Sequence, residues 1–132
     1  MKNGILALVL VCLAVPMVAA AQETPAMKVE EMVFCTAVQD RAPSGADTSF
    51  ASTVENVYCF VKVAGGADTT SITHAWYFKD AKVGSVELAV KGRTWRTWSS
   101  KKILADEQGT WRVDVLGPKG DVLKSGTFVI KP

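Results

Sequence analysis

Three kinds of residue in this chain are equipped for chemistry. They are the single histidine, His74, the cysteines Cys35 and Cys59, and a tryptophan–arginine run, Arg93-Thr94-Trp95-Arg96-Thr97-Trp98-Ser99-Ser100-Lys101. One histidine makes a metal site only if carboxylates or cysteines join it from elsewhere. Beside Trp76 on an apolar strand, it reads as a hydrogen-bonded structural residue. The G-x-S-x-G elbow, the P-loop and the dinucleotide fingerprint are absent. The cysteines act as nucleophiles only as free thiolates. Carboxylates fall mostly near turns or on outward positions, so a small hydrolase using scattered carboxylates or His74 is the weakest reading. The expectation is a protein with no catalytic residues, no cofactor and no metal.

The tryptophan–arginine run points elsewhere. Trp95 and Trp98 are an odd number of positions apart, so a regular strand sends them to opposite faces. One belongs to the core; the other is exposed or covered by a neighbouring loop. Arg96 shares the face of Trp98, where its guanidinium can lie against an aromatic ring. Exposed aromatics beside fork-shaped donors grip sugars or peptides. The binding reading assigns Trp98 as platform and Arg93, Arg96 and Lys101 as orienting cations. The alternative is a ladder that stiffens the sheet by cross-strand stacking, in a purely structural spacer or assembly domain.

Compartment follows from the opening of the chain. Lys2 precedes an apolar run from Ile5 to Val18, and Ala19-Ala20-Ala21 supplies small residues before Gln22. That is the layout of a secretory signal peptide over residues 1–21, cut between Ala21 and Gln22. The competing reading is an uncut anchor, but Pro16 interrupts a run at the short limit of a membrane span. Cys12 lies inside the run with Val11 before it, which does not suit a lipoprotein. The expected product is a periplasmic or secreted protein: a short linker over residues 22–30 and one domain over 31–132, without a membrane span. In an oxidising space Cys35 and Cys59 invite a disulfide. Closing a loop of about 25 residues, it would contribute on the order of 3 kcal/mol. Two buried free thiols are the alternative.

Charge sets limits on partners. The chain holds 15 Lys and Arg against 13 Asp and Glu, and losing Lys2 brings the two closer still. Such balance argues against nucleic acid, which needs a dense basic face. Basic residues concentrate in the second half: residues 22–75 hold 3 basic and 7 acidic side chains, residues 76–132 hold 11 and 6. This is either ordinary surface charge or a patch for an acidic glycan or lipid surface.

These side chains sit on strand-period segments, with no stretch at helical spacing. From Met32 to Val38, Val33, Cys35 and Ala37 share one face, with Phe34 and Thr36 on the other. A loop with Pro43, Ser44, Gly45 and Asp47 follows, too broken for regular structure. Val57, Cys59, Val61 and Val63 alternate toward a core. Ile72, His74, Trp76 and Phe78 share a face of a third strand. Val86, Leu88 and Val90 form a fourth, with Gly92 at a hairpin turn into the strand of Trp95. Trp111, Val113 and Val115 point inward from a sixth, and Val122 to Ile130 is the last, with Phe128 and Ile130 buried. About seven short strands predict an all-β, immunoglobulin-like sandwich. The cysteine spacing is too short for the inter-sheet bridge of antibody domains.

One set of motifs is more specific: Cys35, Arg41 with Pro43, Phe50, Tyr58-Cys59-Phe60, Thr73-His74 with Trp76-Tyr77, Trp95 through Lys101, and Gly109 with Trp111-Arg112-Val113. With Gly120, Val122-Leu123 and Phe128, they resemble the bacterial secreted family called domain of unknown function 2914, over about residues 33–130. Ala42 departs from the acidic residue usual between the arginine and proline, and Gly117-Pro118 replaces a more acidic turn. The resemblance supports the fold and implies no activity, cofactor or catalytic set. The reading as a whole is a non-catalytic exported module that binds an envelope protein, peptide or glycan.

Overall fold

The computed structural model describes residues 27–66 and 69–132. The leader, its cleavage point and the linker as far as Ala26 lie outside the described residues. Among the described residues ten strands run in order: β1 (Lys28–Cys35), β2 (Ala37–Gln39), β3 (Ala42–Ser44), β4 (Ser49–Ala51), β5 (Asn56–Ala64), β6 (Thr70–Phe78), β7 (Ala81–Val90), β8 (Thr94–Lys102), β9 (Gly109–Leu116) and β10 (Val122–Lys131). They form a three-stranded sheet in the order β1-β5-β8, a five-stranded sheet in the order β4-β10-β9-β6-β7, and a two-stranded ribbon, β2-β3. All pairings are antiparallel except β4 with β10.

The two larger sheets pack face to face because period-two alternation makes one side of each apolar. Val57, Cys59, Val61 and Val63 of β5 meet Ile72 and Trp76 of β6, Trp111, Val113 and Val115 of β9, and Phe128 and Ile130 of β10. Phe128 is the hub. Its ring lies 4.7 Å from Phe34, 5.8 Å from Trp111, 6.0 Å from Phe50 and 6.2 Å from Trp76. Aromatic pairs of this kind each add about 0.5–1.5 kcal/mol beyond the area they bury.

The ribbon adds a third, partial layer. Asp40 and Arg41 have φ of 50° and 59°, the mirror-image turn that matches the twist of a tight hairpin. β2 and β3 lie on the outer face of the smaller sheet, against β5 and β1. There the thiol of Cys35 meets the backbone of Ala37 and Ser44. This cover explains why Cys35 is buried although it stands outside the core between the sheets. Gly45, at φ 69°, closes the ribbon; a Cβ there would strike Thr36 Oγ1, which itself donates to the Ser44 carbonyl.

Five expectations change. The polar segment around Pro43 and Ser44 carries β2 and β3, and β4 follows it; strands this short show no hydrophobic period. β1 begins at Lys28, inside the stretch read as linker, because only Val29 among its first residues is apolar. It stops at Cys35, where Thr36 breaks the ladder, so Val38 belongs to β2. The turn at Gly92 is not a hairpin: β7 pairs with β6 and β8 with β5, so it carries the chain from one sheet to the other.

The fifth correction concerns the cysteines. Cys35 and Cys59 are free and buried, not bridged. In the β1–β5 register Cys59 stands opposite Phe34, and Cys35 opposite Tyr58. That one-residue offset sends the two side chains to opposite faces of the sheet. Cys59 enters the core and Cys35 lies under the ribbon. Burial pushes both thiols up, Cys59 further, and the neighbouring cysteine adds to it. A thiol reagent should label neither residue in the native protein and both after denaturation without reductant. Mass spectrometry of labelled peptides checks this; no labelling of the denatured chain would restore the bridge.

Candidate functional site

β8 carries the tryptophan–arginine run, and its register sorts the side chains. Trp98 stands opposite Phe60, and Arg96 opposite Lys62. These four are on the outer face of the smaller sheet. Trp98 is half-buried and stacks on Phe60, centroids 6.2 Å apart and planes within 17°. Arg96 is exposed, and Lys62 makes a 3.6 Å ion pair with Glu30. Trp95 points the other way and packs at the margin of the core. Of the residues expected to form one face, Arg96 and Trp98 come together. Lys101 does not join them: its stem lies 3.9 Å from where a Cβ on Gly84 of β7 would stand, on the inner side of the sheet. Arg93 is exposed in the β7–β8 turn, its carbonyl taking the Gly65 N–H at 2.9 Å.

Arg41 completes the arrangement. From the tip of the ribbon its guanidinium donates to the Arg96 carbonyl at 3.3 Å and lies 5.1 Å from the centre of the Trp95 ring. A non-glycine residue at positive φ is uncommon, and Arg41 is held there by these two contacts across the edge of β8. The sequence showed Arg41 only as part of a motif, because its partner lies 55 positions away.

His74 lies in the core. Its Nδ1 is 2.6 Å from Ser99 Oγ, and the Trp76 indole N–H donates to that same oxygen at 3.1 Å. One proton lies between Nδ1 and the Ser99 hydroxyl, and the Ser99 oxygen can accept from Trp76 whichever of the two carries it. The other ring nitrogen, Nε2, is buried and has no partner among the described residues. Desolvation lowers the His74 pKa to about 4, so the ring is neutral at ordinary pH. His74 is fully buried and Ser99 nearly so. With β6 in one sheet and β8 in the other, the trio is a polar tie across the sandwich and not an open serine–histidine pair.

One groove, of about 420 Å³, opens between β1 and β10, lined by Met32, Phe34, Asp47, Lys124 and Thr127 among others. It exists because β4 pairs only with Val129 to Lys131, leaving the rest of β10 uncovered on that side. None of the candidate binding-face residues, nor His74 or either cysteine, lines it. Among the described residues no group of histidine, cysteine and carboxylate side chains is placed to hold a metal ion. No helix there is long and apolar enough to cross a membrane.

The architecture defines an all-β, immunoglobulin-like sandwich. The chain is similar to the crystal structure of an immunoglobulin-like protein from Pseudomonas aeruginosa, with a TM-score of 0.55 and 10% identity over 83% of this chain and 99% of that one. At that identity the likeness is one of fold. A β-glucosidase from Kluyveromyces marxianus is also similar, with a TM-score of 0.46 and 10% identity; 81% of this chain aligns to 14% of that enzyme. None of the curated proteins matches the sequence. Residues 69–130 match the family described as protein of unknown function (DUF2914), the same family that the chain's motifs resemble. The matched segment holds β6 to β10 almost entirely, including His74, the tryptophan–arginine run and Phe128; Arg41 and both cysteines precede it.

Proposed function

We propose that this domain is an exported, non-catalytic interaction module of the cell envelope, and that it engages a partner protein, peptide or glycan through the outer side of β8. The observation that carries the reading is Trp98, half-buried on Phe60 and flanked by the exposed Arg96. A ring anchored on one face and open on the other offers apolar contact at little entropic cost, and the adjacent guanidinium orients polar groups of a ligand. Arg93 extends the cationic side at the end of the strand, and Lys101 supports the seam with β7. Export is supported by the signal-peptide layout of the first 21 residues.

The catalytic alternative has less behind it. The histidine and serine that touch are enclosed between the sheets, where a substrate has no access.

The test is the double variant Arg96→Ala/Trp98→Ala. Both residues are on the outer face, so the variant is expected to keep the native circular dichroism spectrum. It should lose at least tenfold in affinity for any envelope component that the native protein captures and that is confirmed in purified form. Retained affinity removes this face from consideration.

A further inference from the structure

We infer that the open edge of β8 accepts an extended, acidic segment of a partner protein as an added strand, with Arg41 as the latch that occupies this edge beforehand. The inference rests on the reading of β8 as the interaction strand and specifies both the partner and the manner of contact.

The four sheet borders differ. β4 is three residues long. β1 is interrupted by a register shift between Val29 and Glu31, and its C-terminal end is covered where Asp47 N–H donates to the Phe34 carbonyl at 3.1 Å. β7 is offset from β6 between Trp76 and Tyr77. Short strands, bulges and covers are the usual ways of keeping an edge from pairing with another chain. β8 is neither short nor bulged, and its one cover among the described residues is the Arg41 side chain on the Arg96 carbonyl. Its register with β5 runs unbroken from Thr94 to Lys102, and β5 is its one ladder partner.

The polarity of that edge follows from Arg41. The Arg96 carbonyl receives a bond from outside the sheet, so it points away from β5. By the period of two, Thr94, Trp98 and Ser100 also turn their N–H and C=O groups to the open side. An incoming strand would find its main-chain partners there, with Trp98 and Arg96 beside its alternate side chains. This is recognition by strand addition.

Charge selects the occupant. No acidic residue occurs between Glu87 and Asp106, whereas Lys91, Arg93, Arg96, Lys101 and Lys102 all do. Among the described residues, no ion pair neutralises any of these five. A second copy pairing through β8 would bring like charges together, which costs free energy in cross-strand positions. An acidic strand meets the field with the opposite sign and gains both rate and specificity from it. Arg41 then has two roles: it fills the Arg96 carbonyl in the free protein, and once displaced it adds another cation beside the bound segment.

The probe is a synthetic decapeptide alternating valine and glutamate, with a valine–lysine counterpart. It is titrated into protein produced from the full chain, with amide hydrogen exchange read residue by residue. The glutamate peptide is expected to bind and to slow exchange at the amides of Arg96 and Trp98. The lysine peptide should bind at least tenfold more weakly, and Arg41→Ala should tighten the glutamate peptide about threefold by opening the edge. Binding without protection at those amides, or equal binding of the two peptides, overturns strand addition. If Arg96→Ala/Trp98→Ala nevertheless abolishes capture of a purified partner, the face remains and only the manner of contact is wrong. Failure of both peptides against the native protein and Arg41→Ala alike also overturns the inference.

Discussion

Replacing Trp111 by alanine is expected to cost about 3–5 kcal/mol, a large part of the roughly 5–15 kcal/mol that stabilises a domain of this size. The indole is fully buried, stacks on Phe128 at 5.8 Å and on Phe78 at 4.7 Å, and donates to the Glu107 carbonyl at 3.1 Å. Truncation removes all three contacts and opens a cavity at the hub of the core. The neighbours are rings fixed by other rings, so collapse into the space is limited. Urea unfolding followed by far-ultraviolet circular dichroism measures the loss. Trp98→Ala is the control: it gives up a half-exposed stack and should cost about 1 kcal/mol. Equal losses at the two positions would mean that Trp98 is as structural as Trp111, and would weaken the case for β8 as a binding strand.

The second large effect is a loss of stability in mild acid. Burial lowers the His74 pKa to about 4, against an ordinary value of 6.5. As pH falls below 6.5, the unfolded chain takes up a proton at His74 that the native state refuses. Stability therefore declines with falling pH between 6.5 and 4 and levels off once the native ring also protonates. Each pH unit in that window is worth about 1.4 kcal/mol, so the whole decline from this residue is on the order of 3 kcal/mol. Among the described residues no carboxylate pairs with the ring to offset it; its bonded neighbour is the Ser99 hydroxyl. Urea midpoints at pH 7 and pH 4.5 should differ clearly in the native protein and much less in His74→Leu, where Trp76 still finds Ser99. An undiminished pH response in the variant would assign the acid sensitivity to other groups.

The long strands were readable because their side chains keep a strict period. Val57, Cys59, Val61 and Val63 recur at every second position, Trp111, Val113 and Val115 alternate with Arg112 and Asp114, and all seven are in the core. The ribbon was not readable. Ala37–Gln39 and Ala42–Ser44 are too short and too polar to show a pattern, and they pair with each other where they cross the smaller sheet over Cys35. The same limit applies to the sulfurs. Their spacing suggested a bridge, but a one-residue register offset, invisible in the sequence, turns them apart. Within the candidate site, the opposite facing of Trp95 and Trp98 followed from parity alone. The Arg41 contact did not, since it depends on where a ribbon tip reaches.

The unequal borders of the sandwich have a consequence for stoichiometry. A module with two receptive margins would permit growth into open-ended chains, each unit recruiting the next. Here β1, β4 and β7 are bulged, offset or short, and β8 alone runs uninterrupted. If strand addition operates at that margin, this domain has no second uninterrupted border to offer, so each copy accepts one guest.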